Sequence, residues 1–190
     1  LLSHFAATVY APYNTPLKHC DVRLEQGDTV ALKHHELTFQ IIATPGHTLD
    51  HICYYSPGIL FCGDTLFAGG CGRVFEGDNH MMWQSLHKLE QLPDQTKVYC
   101  AHEYTQANLN FAQQVEPNNS RLKKRIEETR SLRDQQQPTL PSTIGIENDT
   151  NPFLRCHQPH IIEAAQRFSE KKLNSPAEVF SVIRDWKNRC

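Results

Sequence analysis

Two imidazoles and one carboxylate stand in this chain where side chains commonly do chemistry. His47 lies in Thr44-Pro45-Gly46-His47-Thr48, Asp64 in Cys62-Gly63-Asp64-Thr65-Leu66-Phe67, and His102 in Cys100-Ala101-His102-Glu103-Tyr104. Each follows a short β-rich run, so each would sit just past a strand end, where loops display functional groups on a rigid scaffold. Imidazole nitrogen and carboxylate oxygen are ordinary ligands for zinc or iron, and one carboxylate can join two ions. Singly, such residues more often cap or brace a turn. Three in the same setting, in one chain, point to a metal centre. His51 opens a strand and is expected to support a ligand rather than bind the ion. His34, His35, His87 and His157 read as surface positions.

The first half must supply the strands that carry these loops. Residues 38–43 are β-rich and stop at Pro45-Gly46, residues 51–55 and 59–62 read as a hairpin across Pro57-Gly58, and residues 97–100 form a further strand. Asp78 or Asn79 caps a helix through about Leu92, with Met82, Leu86 and Leu89 on one face. After residue 103 the pattern turns helical. Thr105 is placed to cap a helix through about Val115, and residues 121–137 form a charged helix with Lys123/Glu127 and Lys124/Glu128 at i,i+4. Residues 138–152 hold three prolines and read as a loop, and residues 160–172 as a helix. The last helix has Ser175 as cap, Pro176 at its first position, Glu178 to complete a capping box, and Val179, Val182, Ile183 and Trp186 as an apolar stripe.

Strands followed by helices predict an α+β fold, with a strand-rich domain over 1–103 and a helical domain over 104–190. Charge divides at the same place: six Lys/Arg against eleven Asp/Glu before it, thirteen against ten after it. The overall net charge of −2 gives no general attraction to nucleic acid or membrane, and no apolar run approaches membrane-spanning length. The seven cysteines include no CxxC pair, and Cys53, Cys62, Cys71 and Cys100 lie in or beside apolar runs. That pattern reads as buried reduced thiols of a cytoplasmic protein, not a disulfide framework or a zinc ribbon.

The ordered trio of TPGHT, GDTLF and a strand ending in AHEYT resembles the metallo-β-lactamase superfamily. Gly69-Gly70-Cys71-Gly72-Arg73-Val74-Phe75-Glu76-Gly77 is similar to the substrate loop of glyoxalase II, and five of the nine glycines fall between residues 63 and 77. Asn151-Pro152-Phe153-Leu154-Arg155 and the last helix resemble that family too, so the likeness covers nearly the whole chain. It implies a metallo-β-lactamase αββα sandwich, truncated at its N-terminal side, followed by a small α-helical domain. It also implies two divalent metal ions, zinc foremost, although the same ligands accept iron or manganese. His47 and His102 would each bind one ion, and Asp64 would bridge both as the catalytic carboxylate. Arg73, Phe75 and Tyr104 would face glutathione, while Arg184 and Lys187 would hold its glycine carboxylate.

The implied reaction is hydrolysis of S-D-lactoylglutathione to D-lactate and glutathione by a metal-bound hydroxide, in methylglyoxal detoxification. The implied setting is a cytoplasmic monomer whose partner is a small-molecule glutathione thioester. General chemistry agrees, because a metal lowers the pKa of its water to about 7 and a thiolate leaves without a dedicated acid. Arg184 and Lys187, at i,i+3, can converge on one carboxylate, although by spacing alone they read as a solvated helix edge.

The chain departs from the family in three places. A T-H-x-H-x-D-H motif is absent, and Leu1-Leu2-Ser3-His4-Phe5 reads as the interior of a longer chain, leading into a strand near residues 7–10. On that reading four metal ligands are missing and the chain as written is expected to be inactive. Asp50 stands where Gly is usual, and Phe75 where some members have Tyr. Two other readings compete: another hydrolase or a persulfide dioxygenase on the same fold, and a metal-free binding module. The glycine-rich loop and the helical extension with its Arg/Lys pair argue against the first, and only the missing motif argues for the second.

Overall fold

A computed structural model describes residues 7–32 and 35–190, so the expectations placed on Leu1 to Phe5 and on His34 fall outside it. β1 (Tyr10–Pro12) and β2 (Val22–Leu24) form a short parallel pair. β3 (Thr29–Leu32), β4 (Leu37–Ala43), β5 (Ile52–Ser56) and β6 (Ile59–Gly63) then follow one another as antiparallel neighbours. β7 (Leu66–Phe67) and β8 (Gly70–Cys71) make a small hairpin directly after β6. The chain next passes through helix α1 (Asn79–Glu90), and β9 (Lys97–Cys100) returns parallel to β6. β10 (Ser142–Thr143) lies antiparallel on β9 and closes a six-stranded mixed sheet of order β10-β9-β6-β5-β4-β3.

Period-two alternation divides the residues of this sheet between two faces. On one, Leu24 of β2 packs with Val30 and Ile41 against Ile52 and Tyr54. On the other, Ile42, Cys53, Leu60, Cys62 and Val98 meet Met82, Leu86 and Leu89, the apolar face of α1. That second core does not end at residue 103. It continues through Phe111 and Val115 of α2 (Thr105–Val115), Ile161 and Ala165 of α5 (Pro159–Ser169), and Val179, Phe180 and Ile183 of α6 (Pro176–Asn188). Phe153 is fully buried at its centre, 5.6 Å from the Phe180 ring and 6.1 Å from Phe111. Phe153→Ala should therefore cost about 3–5 kcal/mol, read as a lower urea midpoint at unchanged slope.

The expectation that residues 138–152 form a loop is corrected. They contain β10 and a short helix, α4 (Ile144–Thr150), whose N-cap Thr143 accepts the Ile146 amide at 3.2 Å. A seven-residue helix that includes Gly145 has little intrinsic stability; Arg125, which donates to the Thr150 hydroxyl at 2.6 Å, and the partners of Glu147 described below hold it.

Smaller differences concern helix ends. α3 is Ser120–Asp134, capped by Asn119, and α5 stops where Glu170 turns left-handed. Tyr104, not Thr105, occupies the N-cap of α2, and the Thr105 hydroxyl instead accepts from Thr139 at 2.7 Å. Ser175 caps α6 as expected, but Glu178 reaches back to the amide of Asn174 rather than that of Ser175. All seven cysteines are free; Cys53, Cys62, Cys71 and Cys156 are buried, and burial pushes the Cys53 thiol up to about 11. Among the described residues no helix is long and apolar enough to cross a membrane.

Candidate metal centre and its cavity

Strand direction brings the three candidate ligands together. β4 and β6 are each antiparallel to β5, and β9 is parallel to β6, so all three point the same way. Their C-terminal ends share one end of the sheet. From those ends emerge His47, four residues past β4, Asp64 directly after β6, and His102, two residues past β9.

The ring orientations are set by hydrogen bonds. His47 Nδ1 lies 2.8 Å from the Arg73 carbonyl oxygen. A carbonyl only accepts, so Nδ1 donates its proton there, which leaves Nε2 as the nitrogen available to a metal. His51 sits behind the site. Its Nε2 accepts the Asp64 amide at 3.1 Å, and its Nδ1 faces the Thr44 and Thr65 hydroxyls, each at 3.0 Å. Burial lowers the His51 pKa and keeps this ring neutral. It therefore holds the main chain of Asp64 rather than pointing a lone pair into the site.

His102 Nε2 lies 3.4 Å from Asp64 Oδ1. A tetrahedral ion with bonds of about 2.0–2.2 Å sets its ligands roughly 3.3–3.6 Å apart, so this pair has the spacing of two ligands to one cation. His47 is not drawn in as tightly. Among the described residues no three His, Cys, Asp or Glu side chains converge on one ion-sized point. The donor set suits a divalent metal; its full convergence is not built by these three side chains alone.

His47, Asp64, Arg73, Phe75, His102, Tyr104, Arg184 and Lys187, the eight site residues expected from sequence, all line one cavity of about 620 Å³. Tyr104 stacks on His102 with ring centroids 5.0 Å apart, and Phe75 lies 5.0 Å from the His47 ring. Both aromatic rings are largely exposed and flank the imidazoles. Backbone approach is close where the loop crosses: a Cβ on Gly72 would fall 1.9 Å from the Asp64 carbonyl oxygen, which excludes any other residue there.

Arg184 and Lys187 differ in a way spacing did not indicate. Arg184 is buried over the Phe153 ring and donates to the Cys71 carbonyl at 3.1 Å and to Asn188 Oδ1 at 3.1 Å, leaving only Nε without a partner. Lys187 is half-buried above Phe111 and Phe153, with Asn108 Oδ1 as its hydrogen-bond partner. Burial depresses its pKa to about 8. Asn108 and Phe111 also line the cavity and were not singled out from the sequence. They lie four and seven residues after Tyr104 on one helix face, which was the available signal.

A second cavity, of about 570 Å³, lies between α2, α3 and α5. Its charges are largely paired with one another, Arg155 with Glu116 at 2.7 Å and Arg121 with Asp149, so it presents no comparable chemistry.

Comparison with known proteins matches the chain in two stretches. Residues 2–102 match the family described as the metallo-beta-lactamase superfamily, and residues 103–190 match the hydroxyacylglutathione hydrolase C-terminus. A hydroxyacylglutathione hydrolase of Idiomarina loihiensis is 50% identical over 190 residues, covering 100% of this chain and 74% of that protein. One from Nitrosomonas eutropha is 49% identical over 188 residues, covering 99% and 74%. The chain thus spans about three quarters of the length of these relatives. Among solved structures, ETHE1 from Myxococcus xanthus is similar at a TM-score of 0.57 and 26% identity, covering 95% of this chain and 65% of that one. A metallo-beta-lactamase from Staphylococcus aureus, at a TM-score of 0.56 and 18% identity, covers 94% and 49% and shares the fold.

Proposed function

The chain belongs to the hydroxyacylglutathione hydrolase family of the metallo-β-lactamase superfamily, thioester hydrolases of the glyoxalase II type, and on that premise we propose how its cavity serves the reaction. The substrate is a 2-hydroxyacylglutathione, S-D-lactoylglutathione foremost, hydrolysed to the hydroxy acid and glutathione. One observation carries the assignment of residues: a single cavity joins the metal-type ligands His47, Asp64 and His102 to the cationic Arg73, Arg184 and Lys187. Glutathione brings two carboxylates, so a cationic wall beside a metal site matches both halves of a glutathione thioester.

In this reading His47, Asp64 and His102 would hold divalent metal, two ions with zinc the favoured occupant. When bound, the metal supplies a nucleophilic hydroxide near neutral pH and polarises the thioester carbonyl. The chain's own residues do the rest. His51 holds the Asp64 main chain, and the Arg73 carbonyl holds the His47 ring. Phe75 and Tyr104 flank the His47 and His102 rings at the mouth of the site. Lys187 meets the glycine carboxylate. Arg184, spent on the loop carbonyls, adds charge behind it. The strand-rich part to residue 103 carries the metal loops together with Arg73 and Phe75, and residues 104–190 carry Tyr104, Arg184 and Lys187. Seven free cysteines support a reducing, cytoplasmic setting.

The test is turnover of S-D-lactoylglutathione, followed by loss of the thioester, in residues 1–190 joined to an upstream T-H-x-H-x-D-H segment, zinc-loaded and chelated. Turnover that vanishes with chelation and returns with metal is the expected result. A zinc-loaded protein that leaves the thioester intact would overturn the reading.

A further inference from the structure

We propose that Glu147, a carboxylate of α4 in the helical half, is a positioning residue for the reaction: it fixes the loop from Phe67 to Arg73 and so orients His47 and Arg73 in the cavity. The proposal rests on the reading of that cavity given above. Glu147 is completely buried, which a carboxylate tolerates only when its oxygens are well paired. Here they are saturated by four donors. Oε2 accepts the Gly69 amide at 2.7 Å and Asn151 Nδ2 at 3.0 Å. Oε1 accepts Arg125 at 2.6 Å and the Ser142 hydroxyl. One side of the carboxylate thus holds the loop, and the other holds the helical half.

The loop depends on such anchors. Its β7–β8 hairpin pairs only Leu66 with Cys71 and Phe67 with Gly70, too little to be stable alone. The helical half supplies partners along it. Asn151 donates to the Phe67 and Gly70 carbonyls at 3.3 and 2.9 Å, Asn108 to Ala68 at 3.0 Å, and Arg184 to Cys71 at 3.1 Å. Glu147 is the acceptor for a loop amide, and it binds Gly69 in a left-handed conformation (φ 69°). Beyond it the Gly72 amide donates to the Thr65 carbonyl at 3.1 Å, and the Arg73 carbonyl receives His47 Nδ1–H. A loop released at Gly69 loses the aim of both the His47 ring and the Arg73 head.

Glu147→Gln tests this directly. The Gly69 amide, Asn151 Nδ2 and the Arg125 guanidinium can only donate, so the new NH2 must oppose at least one of them whichever way it turns, and it opposes both Gly69 and Asn151 when the oxygen stays on Arg125. The Arg125 cation retains the single oxygen, and the Gly69 amide loses its acceptor. Below the unfolding temperature, zinc affinity by chelator competition should fall about tenfold or more, as when a ligand's supporting partner is removed, and kcat/KM should fall with it. Ile161→Val, a buried substitution on α5, serves as a control for stability and should keep both within roughly twofold. Asn151→Ala, which removes the donors to Phe67 and Gly70 but leaves the Glu147–Arg125 pair, should reproduce the loss. In the unmodified protein the Gly69 amide should exchange as slowly as the core helices. Glu147→Gln and Asn151→Ala variants matching Ile161→Val in zinc affinity and kinetics would overturn the proposal, as would a fast-exchanging Gly69 amide. If the thioester is not turned over, the functional reading fails, while zinc affinity and amide exchange still decide the role of Glu147.

Discussion

Asp64→Ala should lose bound metal and turnover together, with kcat falling by about 10³-fold or more. The magnitude follows from what the metal does. It contributes several kcal/mol of charge stabilisation in the transition state, and each 1.36 kcal/mol is a factor of ten in rate. Asp64 is the carboxylate among the three candidate ligands, lies directly after β6, and stands 3.4 Å from His102 Nε2. Its removal leaves two imidazoles from separate loops with nothing between them. The variant is informative because the loop itself should survive. The Asp64 amide, not its side chain, bonds to His51, and the Thr65 amide closes its turn on the Cys62 carbonyl at 3.0 Å. The thermal midpoint should therefore change little when both proteins are measured metal-free. Unchanged metal stoichiometry with full activity would remove Asp64 from the centre.

The three ligand loops were legible because their signals are local. Each ends a short β-rich run, and Pro45-Gly46 marks the first stop plainly. The strand directions that bring the three loops to one end of the sheet, with β4 and β6 antiparallel to β5 and β9 parallel to β6, come from long-range pairing and were not legible. His51 was legible as a support, but its partner, a main-chain amide thirteen residues on, was not.

Glu147 was invisible for a physical reason. It lies among prolines and a glycine in a segment with no helical period, where an acidic residue ordinarily faces water. Its burial depends on Arg125, 22 residues away, and on Gly69, 78 residues away. Local pattern carries no information about such pairs. Arg184 and Lys187 show the same limit at one remove. Their spacing placed both on one helix edge, but only packing over Phe153 separates a buried guanidinium tied to loop carbonyls from an ammonium at the cavity wall.

That difference sets the second large effect. Lys187→Ala should raise KM for the glutathione thioester by about ten- to a hundredfold, since a hydrogen bond to a charged group contributes roughly 1.5–3 kcal/mol. The kcat should stay near its normal value, because the carboxylate is remote from the bond that breaks and is held alike in ground and transition states. The pH dependence is a sharper test. Burial, with lesser repulsion from Arg184 and Arg73, depresses the Lys187 pKa to about 8, while Cys71 and Cys190 act the other way. Below pH 8 the ammonium is charged in the free enzyme and binds the carboxylate fully. Above it the side chain must take up a proton on binding, so KM should climb by up to about tenfold per pH unit. For stability the sign is opposite. Between about 8 and the ordinary lysine value, the unfolded chain binds the extra proton, so this group makes folding more favourable as pH rises through that window. Lys187→Ala should flatten both trends. A wild-type KM that stays level from pH 7 to about 9.5, or a variant with the wild-type profile, would show that Lys187 does not meet the substrate.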